Sequence, residues 1–390
     1  MISVFEARKI IQENSLPSKT EIISLKKAVG YVLAEPAISF IDTPPFRQSA
    51  VDGYAFSFND WDKKSELKVI GEIQAGIFFN EKLKPLEAIR IFTGAMLPEG
   101  ADTVVMQEKV ENFKNSITIK EVNLLCGQNV RLQGSQALKG DIALHADQLL
   151  TPSGISFLAG IGVNQVSVYS KPTVSIVVTG KELIQPGLDL AKGTIYESNS
   201  FGLMAGFNQL NIEPVSIQVV DDVENEITQA VKSQLQNDFI ILTGGVSVGE
   251  YDFVNSALEK CGVKKLFHGV KQKPGKPFFF GSTKNTLVFG LPGNPAAVMC
   301  CFYEYVVPAI CNYTKIAGSQ KIKLQLENNF TKKQGLTFFL KGKTGEHGVS
   351  ILNSQESYQM NTFALADCLI ELDEDKENFK KGDWVKGLML

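Results

Sequence analysis

The chain has 390 residues, which at roughly 150 residues per domain allows two or three domains. Apolar residues make up 44% and charged residues 21%, ordinary globular usage that excludes wholesale disorder, a collagen-like repeat and a disulfide scaffold. With 39 basic and 42 acidic side chains the net charge is −3, so there is no global positive field to hold a nucleic-acid backbone, and any anion site must be local.

The N-terminal MISVFEARKIIQENS carries charges through its apolar positions and lacks a signal-peptide core. Val4, Ile10 and Ile11, then Ile22, Leu25 and Val29, recur at helical spacing and predict two short helices before Gly30. From about 40 to 141 the runs LKVIGEI, AIRIF, DTVVMQE and SITIKEV alternate with Gly, Pro and Asn breaks and predict an inserted β-rich domain. TPSGISFLAGIGV predicts a helix capped by Thr151 with Pro152 at its first position.

From Lys171 the apolar runs TVSIVV, VSIQVV, DFIIL and TLVFG alternate with helical segments around 201–210, 224–235, 253–259 and 296–310. Strands without polar alternation are expected to be buried on both faces, and the helices between them supply the crossovers of a parallel sheet. The longest apolar stretch, LPGNPAAVMCCFYEYVVPAI, is read as too broken by its prolines and Glu304 to span a membrane. KIKLQLE, TFFLKGK, CLIELD and WVKGLML predict a small all-β domain at the end. The expected fold class is α/β plus all-β. A helical linker domain covers 1–40 and 142–170, the inserted β-rich domain 41–141, a central parallel-sheet α/β domain 171–317, and a small β-barrel-like domain 318–390. The cysteines Cys126, Cys261, Cys300, Cys301, Cys311 and Cys368 show no CxxC spacing and the histidines lie far apart. No zinc cluster is expected, and a cytoplasmic location is the default.

Ligands of an open parallel sheet bind beyond the carboxyl ends of its strands, and four unusual loops fall there: TGKEL, Asp221-Asp222, TGGVSVGEYD and GLPGNPAA. In TGGVSVGEYD, Gly244, Gly245 and Gly249 let the backbone approach a ligand, and amides at a helix start favour phosphate. The same loop also reads as a structural turn with Asp252 as an N-cap. VKQKPGKPFFFG sets Lys271, Lys273 and Lys276 around Pro274-Gly275, either as ammonium groups held inward or as a basic surface hairpin. PPFRQSAVDGYAF, with Asp52, and IFTGAMLPEGADTVVMQE, with Thr93, would separately pass for turns.

In order along the chain, SAVDGYAF, GEIQAG, IFTGAMLPEGADTVVMQE, TGGVSVGEYDFV, KPGKP and GLPGNPAAV resemble the molybdopterin molybdenumtransferase family, to which the C-terminal domain of the vertebrate scaffold gephyrin is related. The resemblance runs from about Phe5 to the C-terminus. It implies a four-domain, elongated homodimer that inserts molybdenum from molybdate into adenylylated molybdopterin, with Mg2+ and release of AMP, to give molybdenum cofactor. It further implies Asp52, Thr93, Asp252, Lys273 and Lys276 as catalytic residues, the first two facing the others from the partner protomer. Phosphate and molybdopterin would meet Thr179, Gly180, Gly244, Gly245, Ser247, Gly249, Pro292, Gly293 and Asn294. Glu182, Asp221, Asp222 and Asp252 are the candidates for Mg2+, a hard cation that takes oxygen ligands.

This sequence departs from the family pattern at Arg47-Gln48, Ser135-Gln136, Gly269, Asn361-Thr362 and Lys341, the last where arginine is common and can form a bidentate fork to an oxyanion. Two other activities stand beside the leading one: a catalytically weakened scaffold or cofactor carrier on the same fold, and a molybdopterin adenylyltransferase. Transient contact with a molybdopterin adenylyltransferase and with molybdoenzyme maturation factors is expected of the leading reading, and neither nucleic acid nor membrane.

Overall fold

The computed structural model describes residues 1–246, 253–318 and 321–390. The protein is a mixed α/β chain with several sheets, and it divides into two compact units, Ile22–Val168 and Met1–Glu21 with Tyr169–Leu390.

In the unit Ile22–Val168, a 6-stranded sheet runs in the order Thr103–Met106, Gly53–Phe56, Glu87–Ile91, Leu67–Ile73, Ser116–Ile119, Val110–Asn112. Neighbouring strand residues point to opposite faces. Ala55, Ile89 and Val104 accordingly join one core, and Phe56, Ala88 and Val105 another, so the sheet is covered on both sides. Gly53 is obligatory: a Cβ there would lie 2.0 Å from the Val105 carbonyl oxygen. The helix expected around Leu25 is absent. Thr20–Ser24 is a strand and Leu25–Lys27 one 3-10 turn, with Ile22 72% and Val29 53% exposed. Leu25 alone of the three is buried, so their helical spacing never formed an apolar face. The helix Pro152–Gly160 forms as expected, with Thr151 Oγ1 accepting the Gly154 N–H at 3.2 Å.

In the second unit, the helix Val4–Glu13 opens with a capping box between Ser3 and Glu6. The central 6-stranded sheet runs Ser216–Val220, Val174–Thr179, Phe239–Thr243, Leu287–Leu291, Phe279–Ser282, Lys264–His268. The first four strands pair in parallel, and Phe279–Ser282 runs antiparallel to both of its neighbours, Leu287–Leu291 and Lys264–His268. The expectation of a parallel sheet is thus corrected to a parallel-rich mixed one. Nor is VSIQVV buried on both faces: Ser216–Val220 is an edge strand with Ile217 and Val219 exposed, because it has one neighbour and a cover on one side only.

The stretch read as broken is a continuous helix, Pro295–Thr314, long and apolar enough to cross a membrane, but 83% of its apolar window is buried inside the protein. Its middle turn, Phe302–Val306, is π-helical, and the Val307 N–H reaches back to Phe302 O. That wider turn admits Pro308, which has no N–H and whose ring excludes the carbonyl four residues back.

The last 6-stranded sheet joins Thr337–Thr344, Cys368–Leu372, Trp384–Met389, Ile322–Gln325 and Val349–Ile351 to Gln272–Lys273, which pairs parallel with Thr337–Thr344. The lysine-bearing KPGKP turn therefore hangs from the edge of the C-terminal sheet.

Candidate active site

Three loops at the carboxyl edge of the central sheet close on one another. Gly244 and Gly245 adopt φ of +91° and +63°, conformations that glycine takes without steric cost. A Cβ on Gly244 would stand 2.3 Å from the Thr179 carbonyl oxygen, and one on Gly245 would stand 3.0 Å from Thr179 Oγ1 and 3.5 Å from Asp222 Oδ1. The glycine turn is thus wedged between Thr179 and Asp222, whose Oγ1 and Oδ1 are buried with no hydrogen-bond partner among the described residues. The Gly180 N–H donates to Val220 O at 3.1 Å, tying the TGKEL loop to the start of Asp221-Asp222.

The fourth loop joins through side chains. Asn199 Nδ2 donates to Thr243 Oγ1 and to Gly293 O, each at 2.9 Å, and Thr243 Oγ1 donates to Pro292 O at 3.1 Å. Asn294 is the N-cap residue of the helix Pro295–Cys301, but its amide donates instead to Ser357 Oγ at 2.8 Å. Sequence reading missed Asn199, whose partners lie 44 and 94 residues away. It also missed His268. Nε2 lies 3.0 Å from Val246 O, a pure acceptor, so it carries the hydrogen, and Nδ1 lies 3.0 Å from Asn255 Nδ2 and accepts. One imidazole therefore joins residues on both sides of 247–252.

Asp222 turns inward, whereas Asp221 and Glu182 are exposed. Among the described residues no three His, Cys, Asp or Glu side chains gather into a metal-sized group, so Glu182, Asp221 and Asp222 do not converge on their own. Ser247, Gly249 and Asp252, also predicted for this site, lie outside the described residues.

The KPGKP turn is fixed from below. Gln272 is fully buried; its amide donates to Pro274 O at 2.9 Å and accepts from the Tyr305 hydroxyl. Above it Lys273 and Lys276 are exposed, with Lys273 Nζ 5.6 Å from the Phe338 ring centroid. In the single chain both ammonium groups are open to solvent. Lys341 differs again: it is buried, and its Nζ donates to the carbonyls of Ser354, Glu356 and Gln359 at 2.9, 3.1 and 3.2 Å. Burial lowers its pKa. With three acceptors already engaged, this ammonium holds the 354–359 loop that carries Ser357 and has no hydrogen left for an oxyanion.

In the other unit, the predicted Asp52 and Thr93 do meet, at 2.8 Å through the Thr93 N–H and 2.7 Å through its hydroxyl. These two donors, helped by the charge of Arg90, hold the Asp52 carboxyl below its ordinary range. Arg90 was not foreseen. Its guanidinium sits 5.2 Å from the Tyr54 ring and 5.0 Å from the Phe92 ring and donates to Gly53 O at 3.2 Å.

Two cavities on the helical side of the Met1–Glu21 and Tyr169–Leu390 unit, of about 490 and 300 Å³, share Tyr303, Pro308, Asn312 and Leu388 and include none of the rim residues.

Comparison with known proteins bears on both units. Residues 2–162 match the MoeA N-terminal region (domains I and II), 175–312 a probable molybdopterin binding domain, and 323–390 the MoeA C-terminal region (domain IV). The chain is 35% identical over 399 residues to a molybdopterin molybdenumtransferase of Haemophilus influenzae, covering 99% of this chain and 98% of that protein. It is 38% identical over 311 residues to one from a Nostoc species, covering 77% and 70%. A crystal structure of the molybdopterin biosynthesis moeA protein from Pyrococcus horikoshii matches 100% of both chains with a TM-score of 0.82 at 28% identity.

Proposed function

The chain belongs to the MoeA family of molybdopterin molybdenumtransferases, and we propose that it inserts molybdenum from molybdate into adenylylated molybdopterin with release of AMP. The observation that carries this reading is the pair of buried oxygens, Thr179 Oγ1 and Asp222 Oδ1, without hydrogen-bond partners among the described residues, beside a positive-φ glycine turn at the carboxyl edge of the sheet. Backbone amides at such a turn suit phosphate oxygens, and Gly244, Gly245 and Ser247 fill that role. The oxygen-only donor pair suits Mg2+, with Asp222 as the inward carboxylate and Glu182, Asp221 and Asp252 as the further candidates. Bound there, the cation supplies charge neutralisation at the phosphoanhydride.

The remaining work falls to the chain. Thr179, Gly180, Gly249, Pro292, Gly293 and Asn294 line the place of the pterin nucleotide. Lys273 and Lys276 attract the molybdate dianion. Asp52, kept ionised by Thr93, faces them from the partner protomer of an elongated four-domain homodimer, so that the cleft is completed by assembly. Breaking the phosphoanhydride then depends mainly on positioning and preorganised charge. A cytoplasmic location and handover from a molybdopterin adenylyltransferase, and onward to molybdoenzyme maturation factors, go with this reading.

The test is incubation of the purified chain with adenylylated molybdopterin, Mg2+ and molybdate while AMP is followed. Release that requires molybdate is the expected result. Stable binding without release would mean a carrier or scaffold, and consumption of ATP with free molybdopterin an adenylyltransferase.

A further inference from the structure

Asn199 stands in the first turn of the helix Asn199–Gln209, yet it does nothing for that helix. The helix start is served by Glu197, a buried carboxylate that accepts the Ser200 N–H at 2.8 Å and the Ser200 hydroxyl. Asn199 is thereby released to reach across the sheet edge. A side-chain amide has two N–H donors, and both are used, one on Thr243 Oγ1 and one on Gly293 O. Thr243 Oγ1 passes its own hydrogen to Pro292 O. The amide cannot be turned over, because Oδ1 would then face the carbonyl oxygen of Gly293. Oδ1 itself is buried without a partner among the described residues, so the two donors set the orientation.

The two turns linked in this way touch: a Cβ on Gly293 would stand 3.7 Å from Gly244 Cα. One of them carries the glycine amides and the other the Pro292-Gly293-Asn294 segment.

We propose that Asn199 is a positioning residue for the pterin nucleotide, its amide fixing the spacing between the turn at 243–245 and the turn at 292–294 so that one ligand can engage both. The inference rests on the function proposed above. It separates the two substrates, because molybdate is assigned to lysines on a different element. Asn199 should therefore govern the nucleotide and leave molybdate alone.

The experiment measures AMP release against each substrate in turn, with melting temperature alongside, for Asn199→Ala and for the isosteric Asn199→Asp, which fills the same space without donors. Loss of two neutral hydrogen bonds predicts a rise of about 10-fold or more in the adenylylated molybdopterin concentration for half-maximal release in both variants, and a change within about 2-fold for molybdate. Thr243→Val removes the same link from its other end and should give the same split. Because both changes break one relay, the double variant should be no worse than the weaker single one by more than about 3-fold. Wild-type nucleotide dependence in Asn199→Asp would overturn the proposal, as would parallel losses for both substrates that track a fall in melting temperature. Should the Asn199 variants fail to fold, Thr243→Val decides alone, and an unchanged nucleotide dependence there overturns it. A wild-type protein that releases no AMP defeats the functional reading instead, a result distinct from either.

Discussion

Thr93 and Asp52, 41 residues apart, meet at a single carboxylate oxygen that accepts both the backbone N–H and the hydroxyl of Thr93. Hydrogen bonds to the charged form favour it, which is why this carboxyl titrates below its ordinary range. Thr93→Val keeps the backbone donor and loses the hydroxyl, so the Asp52 titration midpoint should rise. If ionised Asp52 is needed, the acid limb of the AMP-release profile should move to higher pH with it. Carbon NMR titration of Asp52 in both proteins checks the first statement, and an unmoved midpoint would mean that the hydroxyl contact is not kept in solution.

A second prediction concerns stability. Arg8 bridges Glu304 and Glu371 at 2.6 and 2.9 Å, and Lys321 reaches Glu304 at 2.7 Å, so the first helix, the long core helix and the C-terminal sheet share one ion cluster. Burial pushes the Glu371 carboxyl up, but the hydrogen bonds and charges of Arg8 and Lys321 win and hold it at about 2. A depressed carboxylate contributes stability that is present above its unfolded value near 4.5 and is lost as pH falls toward 2. At 1.36 kcal/mol per pH unit the contribution is about 3 kcal/mol. Glu371→Gln should cost about 3 to 5 kcal/mol at pH 7, since it leaves two cations facing one carboxylate. Denaturation midpoints measured from pH 6 to 2 should fall less steeply in the variant, and equal slopes would show that Glu371 is not the titrating group.

That cluster also shows where sequence reading ends. Arg8 lies 296 residues from Glu304 and 363 from Glu371, and no local pattern encodes such pairs. Glu304 interrupts an apolar run in the sequence, yet inside the protein its charge is met by Arg8 and Lys321, both distant from the run's own pattern. Lys341 invited comparison with an oxyanion ligand because its type is visible in the sequence, while the three carbonyls that occupy it depend on the path of the 354–359 loop. What was legible had local causes. Apolar runs gave the four parallel strands, and Thr151 with Pro152 gave a helix start. The glycines at 244 and 245 announced a turn that does require positive φ. The family resemblance of the motifs that carry Asp52 and Thr93 marks both as site residues, but their mutual contact is visible only in the structure.

Assembly yields a third prediction. If each site draws Asp52 from one protomer and Lys276 from the other, Asp52→Asn and Lys276→Ala should each be impaired alone yet recover part of the activity when mixed, because a heterodimer holds one site with both residues intact. Subunit exchange is verified with differently tagged chains. No recovery after verified exchange would place both residues in one protomer's site.

The last prediction turns on the exposure of Lys276. In the single chain its ammonium is open to solvent, and an exposed ion pair is worth about 0 to 1 kcal/mol, less than about 5-fold in affinity. The turn beneath it is nonetheless rigidly seated, with buried Gln272 bonded to Pro274 O and to the Tyr305 hydroxyl, so the lysine is presented from a fixed base. A partner protomer closing over that surface would remove water from around the charge, and truncating one side of a desolvated charge pair costs about 2 to 5 kcal/mol. A dianion such as molybdate raises the attraction further, to be set against the cost of stripping its own water. Lys276→Ala is therefore expected to raise the molybdate concentration for half-maximal AMP release by about 30-fold or more, while the dependence on adenylylated molybdopterin stays within a few-fold. Molybdate titrations of wild type and variant at one fixed ionic strength measure the ratio. A shift below about 5-fold would leave Lys276 a solvent-facing residue in the assembled protein as well, and KPGKP a structural turn on the edge of the C-terminal sheet.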